Sequence, residues 1–272
     1  MSLKRLARVA PRRLLLICLG KLFYRQRVDT DGKILRPKRF LTSLNQWLIE
    51  EGFTPPWIWS TEECHSFWAS LQNNEESAGN KPVDYADKAM GIITFLDRFW
   101  KPDVVTDFSI LELGCNCGVN LHGLRNLGYR YVSGIEMNAH ALAEMRRSFP
   151  DLEKVAEISL GTLENLLPKM PSKSVDVVFT MGVLMHVHPR SHQVFSEMVR
   201  IARRYVAIIE AEVANCGYVF SRNYRRVFER LGCAQVKSTL MTRQAFPYVS
   251  RNYDGLAARL FSVGRQVGAK LE

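Results

Sequence analysis

The strongest structural signal in this chain is the run Ile110-Leu111-Glu112-Leu113-Gly114-Cys115-Asn116-Cys117-Gly118. It predicts a buried strand with an acidic residue at its end, followed by a turn through glycines into a helix. Gly114 permits a sharp turn, and Gly118 lacks a Cβ where we expect the backbone and a ligand to approach closely. Asn116 stands where such loops commonly repeat glycine, and asparagine tolerates the left-handed conformation.

Around this run, apolar segments of strand length alternate with amphipathic helices, which predicts a parallel sheet covered by helices. The predicted strands are Phe108–Leu113, Tyr131–Glu136, Val155–Leu160, Val175–Thr180 and Tyr205–Glu210, and the predicted helices are Val119–Leu127, Ala139–Phe149, Leu163–Leu167, Ser191–Arg203 and Arg222–Leu231. Ala234–Met241 and Leu256–Val263 have no helix between them and therefore predict an antiparallel hairpin. The sum is an α/β fold with seven strands, mostly parallel, an antiparallel last strand and helices on both faces.

The charge divides the chain into three predicted regions. Residues 1–39 form a basic extension with twelve Lys/Arg and two Asp, so they carry the whole net charge of +10. Residues 40–106 form a helical cap region with helices over Leu41–Glu51, from Ser60 to Leu71 and over Asp84–Trp100; Ser60 and Glu63 have the spacing of a capping box. Residues 107–272 form the sheet domain, and residues 40–272 taken together have no net charge.

The first 28 residues contain no acidic residue, and their basic groups flank a short leucine-rich stripe. The apolar run Leu14–Leu19 is far shorter than the ~20 residues that cross a bilayer, and no cleavage site of small residues follows it. A basic amphipathic helix can lie on an anionic membrane surface, pack its leucines on the protein core, or bind nucleic acid or act as a targeting peptide. These alternatives stay open from the sequence.

The six cysteines do not form pairs at the spacing of a zinc site, so we predict no metal and free thiols in a reducing cytosol. The cytoplasm, with peripheral contact to the inner face of the membrane, is the expected location.

The tips of the predicted strands carry the candidate ligand-binding groups. Glu136 ends the second strand 18 residues beyond Gly118, where an acid can accept hydrogen bonds from both ribose hydroxyls of a nucleoside. Thr162 and Leu163 follow the third strand, where we expect an adenine pocket. The fourth strand lies beside the first, across the point of the sheet where ligands bind such folds.

These motifs resemble those of the class I S-adenosylmethionine (SAM)-dependent methyltransferases, which have a Rossmann-like sheet, over about residues 107–263. The resemblance implies that the glycine loop and its preceding acid hold the amino-acid end of SAM, and that the second-strand acid holds the ribose. The residues that we expect to bind the cofactor are Glu112, Gly114, Cys115, Asn116, Gly118, Glu136, Met137, Thr162, Leu163, Thr180 and Met181. The loop after strand four lacks Asn/Asp-Pro-Pro-Tyr/Phe, which argues against methylation of base amines.

Three residues are candidate general bases for a hydroxyl acceptor. His186 follows strand four, and a histidine pKa lies near the operating pH. Glu210 and Glu212 follow strand five at the same edge of the sheet. Structural roles compete with these: a core or capping histidine for His186 and His188, and solvent exposure for the two glutamates. Arg222-Asn223-Tyr224 is either a site for an anionic acceptor or a surface helix cap.

The runs Leu111 to Asn116, Gly134 to Asn138 and Gly182 to Pro189 resemble methylases encoded with bacterial surface-sugar pathways, including pseudaminic-acid-associated methylases. That resemblance implies a small-molecule or glycan-linked acceptor, methylated at oxygen. An RNA or DNA methyltransferase that uses the basic N-terminus is the main alternative. A non-catalytic protein with this fold and a nicotinamide oxidoreductase are the others, although the loop lacks Gly-x-Gly-x-x-Gly.

Overall fold

The computed structural model describes residues 27–28, 34–35, 39–55, 58–71, 86–212, 215–242 and 255–264. The main sheet contains β1 (Ser109–Leu113), β2 (Tyr131–Glu136), β3 (Glu157–Leu160), β4 (Val175–Met181), β5 (Ala202–Glu210), β6 (Ala234–Met241) and β7 (Leu256–Ser262). The α-helices are α1 (Arg39–Glu50), α2 (Thr61–Ser70), α3 (Ala86–Trp100), α4 (Val119–Asn126), α5 (Ala139–Ser148), α6 (Leu152–Val155), α7 (Leu163–Leu166), α8 (Gln193–Ile201) and α9 (Tyr224–Arg230). Two short antiparallel pairs, Arg27–Val28 with Ile34–Leu35 and Asn215–Cys216 with Val219–Phe220, lie outside this sheet.

The sheet has the strand order β6-β7-β5-β4-β1-β2-β3. The five strands from β5 to β3 are parallel, whereas β7 runs antiparallel to both β5 and β6. The predicted α/β fold, with its seven-stranded, mostly parallel, Rossmann-like sheet and reversed last strand, is therefore confirmed. Because β1 lies between β2 and β4, the tips of all three strands meet at one edge.

Alternate residues of β1 face opposite sides of the sheet, and each side has its own core. Ile110 packs with α3, α4 and α5, whereas Leu111 and Leu113 pack with α8 and α9. These helices cover both faces, which fixes the β1 strand and leaves only its carboxyl end open for binding.

Two segments differ from the sequence-based prediction. The predicted helix Ser191–Arg203 is shorter, because β5 begins at Ala202 and pairs there with Val175 of β4. Val155 ends the short helix α6, whereas the prediction placed it in a strand. At Ala202, pairing within the sheet, which depends on distant residues, decides the conformation over local preference.

Of the helices before the sheet, α2 begins at a capping box and α3 packs on the main core. The capping box at Ser60 and Glu63 is confirmed, and it begins α2. Helix α3 carries Ile93 and Trp100 into the main core, so the predicted boundary at residues 106–107 falls after a helix that covers the sheet.

Almost all of the basic extension lies outside the described residues. Within the described part of the chain, no helix has the length and apolar character needed to cross a membrane.

Candidate active site

The glycine loop after β1 turns through three residues with positive φ. Gly114, Asn116 and Gly118 have φ of 70°, 50° and 74°, so the expected left-handed Asn116 is confirmed. The amides of Gly114 and Cys115 donate to the carbonyl oxygen of Ile135, at 2.7 and 3.0 Å, and tie the loop to β2.

At Gly118 the space that a Cβ would occupy is filled by the protein itself, and the close approach of a ligand to its backbone stays a prediction. A Cβ at this position would lie 2.8 Å from Cγ of Met145 and 2.9 Å from Cδ2 of Leu152. The position therefore lacks a side chain because helices α5 and α6 fill that space.

Cys115 and Cys117 are buried, and burial raises the pKa of both thiols, that of Cys117 to about 12. Sγ of Cys115 lies 2.6 Å from where a Cβ would stand at Gly134, so its side chain packs under the loop. Any contact of Cys115 with a cofactor must therefore come from its backbone.

Glu112 is a buried carboxyl group with one oxygen unused. Asn120 Nδ2 donates to its Oε1 at 2.6 Å, while its Oε2 is buried without a hydrogen-bond partner among the described residues. Burial raises the pKa of Glu112 to about 8, and the neighbouring charge of Glu136 adds to the shift. A buried oxygen without a partner is costly, and a cationic group such as an ammonium would satisfy it.

Glu136 ties the tip of β2 to the glycine loop. Its Oε2 accepts from the amide of Asn116 at 2.9 Å, and its Oε1 accepts from the amides of Met137 and Asn138, each at 2.8 Å. Burial raises the pKa of Glu136, while these amides act in the opposite direction. A carboxylate has about four lone-pair sites and three of these are used, so this one can accept from one further donor, such as a ribose hydroxyl.

The other predicted cofactor residues lie on either side of this centre. Thr162 caps α7, and Leu163 begins that helix and packs on the core. Met181 Sδ lies 3.9 Å from Asn120 Nδ2, the group that holds Glu112. Thr180 is fully buried and its hydroxyl is used inside the protein, so only its backbone is placed to meet a cofactor.

Glu210 holds the loop that follows β4. Its Oε1 accepts from Thr180 Oγ1 at 2.9 Å and from the amides of Val183 and Leu184 at 2.9 and 3.0 Å, and its Oε2 accepts from the amide of Met185 at 3.3 Å. Burial raises its pKa to about 7. The predicted alternative of solvent exposure is wrong, since Glu210 is fully buried. Its function as a base stays a prediction, but its contacts are those of a residue that shapes this loop.

Arg222 reaches the same loop from the other side. Its guanidinium donates to the carbonyl oxygens of Leu184, Val187 and Phe220 at 3.3, 2.8 and 2.9 Å. The predicted helix cap is confirmed at Asn223, whose side chain accepts from the amide of Arg226 at 3.0 Å. Arg222 itself is 2% exposed and its donors face the backbone, which does not fit the alternative of binding an anionic acceptor. The sequence analysis missed this role, since the three carbonyl groups come from distant parts of the chain.

His186 lies on the loop that Glu210 and Arg222 hold. Its Nδ1 lies 3.1 Å from the carbonyl oxygen of Tyr218, and its ring centroid is 4.2 Å from that of Trp68. A carbonyl oxygen can only accept, so Nδ1 carries the hydrogen and Nε2 keeps a free lone pair. Burial lowers the pKa of His186 to about 4, which keeps the ring neutral at physiological pH.

His188 and Glu212 have structural partners. His188 bonds Thr61 Oγ1 and the Trp59 carbonyl oxygen at 3.0 and 3.1 Å, and it caps the short helix after it, as its predicted alternative role required. Glu212 forms a two-oxygen ion pair with Arg259, with both distances 2.7 Å. This pair satisfies the carboxylate, so Glu212 is a weaker candidate base than His186, although its catalytic role stays a prediction.

Helix α2, which belongs to the predicted helical cap region, is attached to loops of the site by contacts that the sequence did not indicate. Its Trp68 and Leu71 carbonyl oxygens accept from Asn138 Nδ2 at 3.0 and 2.8 Å. His65 Nε2 lies 3.1 Å from Oε1 of Glu164 in α7. These contacts attach the helix to the loops after β2 and β3, beside Glu136 and Thr162.

Comparison with known proteins finds one matching family model and solved structures with a similar fold. Residues 111–208 match the family model for a methyltransferase domain. The structure is similar to that of phosphoethanolamine N-methyltransferase 1 of Haemonchus contortus, at 15% identity and a TM-score of 0.55, over 78% of this chain and 50% of that one. It is also similar to magnesium protoporphyrin IX methyltransferase of Synechocystis PCC 6803 with bound S-adenosylhomocysteine (SAH), at 12% identity, a TM-score of 0.52, and 82% and 99% coverage.

A third similar structure is a complex between the Trm112 methyltransferase activator and a methyltransferase of Haloferax volcanii, at 16% identity, a TM-score of 0.52, and 74% and 100% coverage. No curated protein matches the chain. At these identities the solved structures support the fold, and the matched family model supports the activity. Residues 111–208 thus match a methyltransferase domain on a Rossmann-like fold, and the chain is an enzyme whose methyl donor is SAM.

Proposed function

We propose that this enzyme transfers the methyl group of SAM to a hydroxyl oxygen of a small-molecule or glycan-linked acceptor. The observation that carries the proposal is the orientation of His186. Its Nδ1 is fixed on the Tyr218 carbonyl oxygen, and this leaves Nε2 as an acceptor at the loop after β4. A neutral imidazole with one free lone pair is the group that takes a proton from an attacking hydroxyl.

The cofactor lies over the tips of β1 and β2 in this proposal. The Oε2 of Glu112, which has no partner among the described residues, receives the ammonium group of SAM, and Glu136 accepts from one ribose hydroxyl. Backbone groups of Gly114, Cys115, Asn116 and Gly118 surround the methionine moiety. Met137, Thr162 and Leu163 border the nucleoside, and Thr180 and Met181 lie beside the sulfur.

The transfer itself requires alignment and one proton acceptor. The acceptor oxygen forms a bond to the methyl carbon as the carbon–sulfur bond breaks, and the sulfonium becomes a neutral thioether. The hydroxyl proton moves to His186 Nε2. Burial opposes a charged imidazole, but the sulfonium charge disappears in the same step, so the site carries one positive charge before and after. Glu210 positions the base in this scheme, and Glu212 stays outside it.

The glycan-linked acceptor rests on the likeness of three loop sequences to surface-sugar methylases. An acceptor carried on a lipid would also suit the N-terminal extension, whose residues 1–28 are basic, lack acidic groups and carry leucines. We propose a cytoplasmic enzyme that touches the inner face of the membrane through this segment. RNA or DNA is the alternative partner for the same charges.

Methyl transfer from SAM carrying a labelled methyl group tests the acceptor class. Purified enzyme is incubated with glycan, lipid and RNA fractions from cells, and the labelled product is characterised by NMR. A label on an ether oxygen in a glycan or glycolipid supports the proposal. A label in RNA, or on nitrogen or carbon, contradicts it. The His186→Ala variant, which keeps the cofactor residues, is the control for transfer that does not use the base.

A further inference from the structure

Trp68 spans the open edge of the sheet above β1. Its carbonyl oxygen is held by Asn138, which follows β2, and its ring contacts His186, which follows β4. Since β1 pairs with both of these strands, Trp68 contacts residues on either side of the carboxyl end of β1, namely Asn138 after β2 and the candidate base His186.

The indole Nε1 of Trp68 is buried and has no hydrogen-bond partner among the residues that the structure describes. Tryptophan has a single donor and no acceptor, so this N–H can be satisfied only by an oxygen or nitrogen that accepts. Buried tryptophan N–H groups normally have such a partner, because an unsatisfied donor costs about 1–3 kcal/mol. An oxygen acceptor on a bound ligand would satisfy this N–H group.

An aromatic wall continues from Trp68. It consists of Trp59, Phe67, Trp68, Tyr218 and the ring of His186. Phe67 lies 5.1 Å from Trp68 and 5.2 Å from Tyr218 between ring centroids, and Trp59 lies 4.9 Å from Tyr218. Tyr218 and His186 are stacked, with 16° between their planes. Aromatic faces bind flat apolar surfaces, which include other aromatic rings and the C–H face of a sugar ring.

We propose, resting on the O-methyl transfer proposed above, that Trp68 binds the methyl acceptor. Its indole N–H donates to an oxygen of a hydroxylated ring, and the aromatic wall takes one apolar face of that ring. This arrangement holds a neighbouring hydroxyl of the ring near Nε2 of His186. Trp68 is thus a specificity-determining residue contributed by α2, outside the motifs that bind the cofactor.

The test uses the full chain, saturated with SAH and labelled with ¹⁵N at the indole nitrogens. The chain has five tryptophans, and the signal of Trp68 is the one that disappears in the variant Trp68→Phe. The probes are UDP-glucose and UDP-N-acetylglucosamine, as hydroxylated sugar rings, and catechol, as a hydroxylated aromatic ring. We expect one class of probe to shift the Trp68 signal beyond its position with SAH alone.

Trp68→Phe keeps an aromatic ring and removes the donor. We expect the dissociation constant of the active probe to rise roughly ten- to one-hundred-fold, while that of SAH changes less than about threefold. Trp47→Phe is the matched control, because Trp47 is 47% exposed on α1, away from the wall. It leaves both constants unchanged.

Two outcomes overturn the proposal. If SAH alone moves the Trp68 signal and Trp68→Phe weakens SAH, the N–H serves the cofactor. If no probe moves the signal, Trp68 does not bind a hydroxylated ring. Analysis of the methylated product distinguishes failure of the Trp68 proposal from failure of the proposed function. A methyl group found on nitrogen or carbon contradicts transfer to oxygen, whatever the Trp68 signal does.

Discussion

Glu210 and Arg222 hold the same loop from opposite sides, and in the described structure their side chains form no ion pair with each other. The carboxylate accepts from amides of residues 183–185, and the guanidinium donates to carbonyl groups of residues 184 and 187. The two buried side chains therefore hold this segment of backbone from both sides. Because His186 lies in this segment, the pair fixes the direction of its ring.

Replacing Glu210 with glutamine tests this support and its pH dependence. The pKa of Glu210 is about 7 in the folded protein and near 4.5 in the unfolded chain, so its contribution to stability is largest below pH 4.5 and declines as the pH rises to 7. A glutamine at this position cannot ionise, so its contribution to stability does not change with pH. We expect Glu210→Gln to be less stable than wild type at pH 5, with a deficit that shrinks by a few kcal/mol by pH 8. Urea unfolding at both values measures it.

The surface variant Glu153→Gln serves as the control for Glu210, because Glu153 is half exposed and pairs only with Arg146 among its described neighbours. We expect it to follow wild type at every pH. A deficit in Glu210→Gln that stays constant with pH would contradict the assignment.

Glu112 makes SAM affinity depend on pH. Its pKa of about 8 without ligand means that it is mostly protonated at pH 6, and binding of the ammonium group favours the charged carboxylate. Binding therefore releases a proton, and we expect the affinity to rise about tenfold per pH unit between pH 6 and 7.5. Calorimetry in buffers with different ionisation enthalpies measures both the affinity and the proton release.

Glu112→Gln keeps the shape of the side chain and cannot ionise. We expect this variant to bind SAM more weakly at pH 7.5 and to show a flat profile. A wild-type profile as flat as that of the variant would place the ammonium elsewhere.

Glu136→Ala removes a ribose acceptor and three internal hydrogen bonds. We expect SAM binding to weaken by about 1–3 kcal/mol, the range for loss of a charge-assisted partner. The amides of Asn116, Met137 and Asn138 lose their acceptor as well, so the melting temperature falls. Calorimetry measures the SAM affinity, and the variant Glu136→Gln separates the effect of the carboxylate charge from that of the side-chain shape. An unchanged SAM affinity in Glu136→Ala would rule out the ribose role.

His186→Ala tests the proposed base. We expect turnover to fall by about 10²–10⁴-fold, with little change in SAM affinity. Since the pKa of His186 is about 4, the ring is neutral at higher pH, and its ionisation produces no loss of activity between pH 6 and 8. His122→Ala, on α4, is the control. Activity within a few-fold of wild type in His186→Ala would mean that alignment alone drives transfer or that a glutamate is the base.

Deletion of residues 1–28 tests the membrane contact. We expect the full chain to sediment with anionic vesicles, to ignore neutral ones and to be released by salt, because each basic residue near such a surface contributes about 1 kcal/mol. The truncated chain stays unbound and still binds SAM. Unfolding of the truncated chain would instead indicate that the segment packs on the core.

The sequence predicts those parts of the fold that depend on local patterns. β2 and β6 have the predicted bounds, and the left-handed Asn116 follows from the intrinsic preference of asparagine. Features created by distant contacts were missed. Nothing near Arg222 in the sequence indicates its carbonyl partners, and Trp68 reaches His186 only when α2 lies over the sheet.

The candidate site residues also divide into those that local sequence patterns predict and those that depend on distant contacts. The acidic residues at strand tips can be found from spacing, because the sheet brings those tips together. Whether such a carboxylate is free, as Oε2 of Glu112 is, or fully engaged, as in Glu210, depends on packing that spacing does not describe.

Asn138 joins the tip of β2 to the carbonyl groups at the end of α2, and this gives the enzyme a coupling between its two ligands. A nucleoside that orders the β2 tip also orders the helix that carries Trp68. By thermodynamic reciprocity, an acceptor that binds more tightly after the cofactor must hold the cofactor more tightly in return. We therefore expect bound SAH to lower the dissociation constant of the acceptor, and the bound acceptor to lower that of SAH by the same factor.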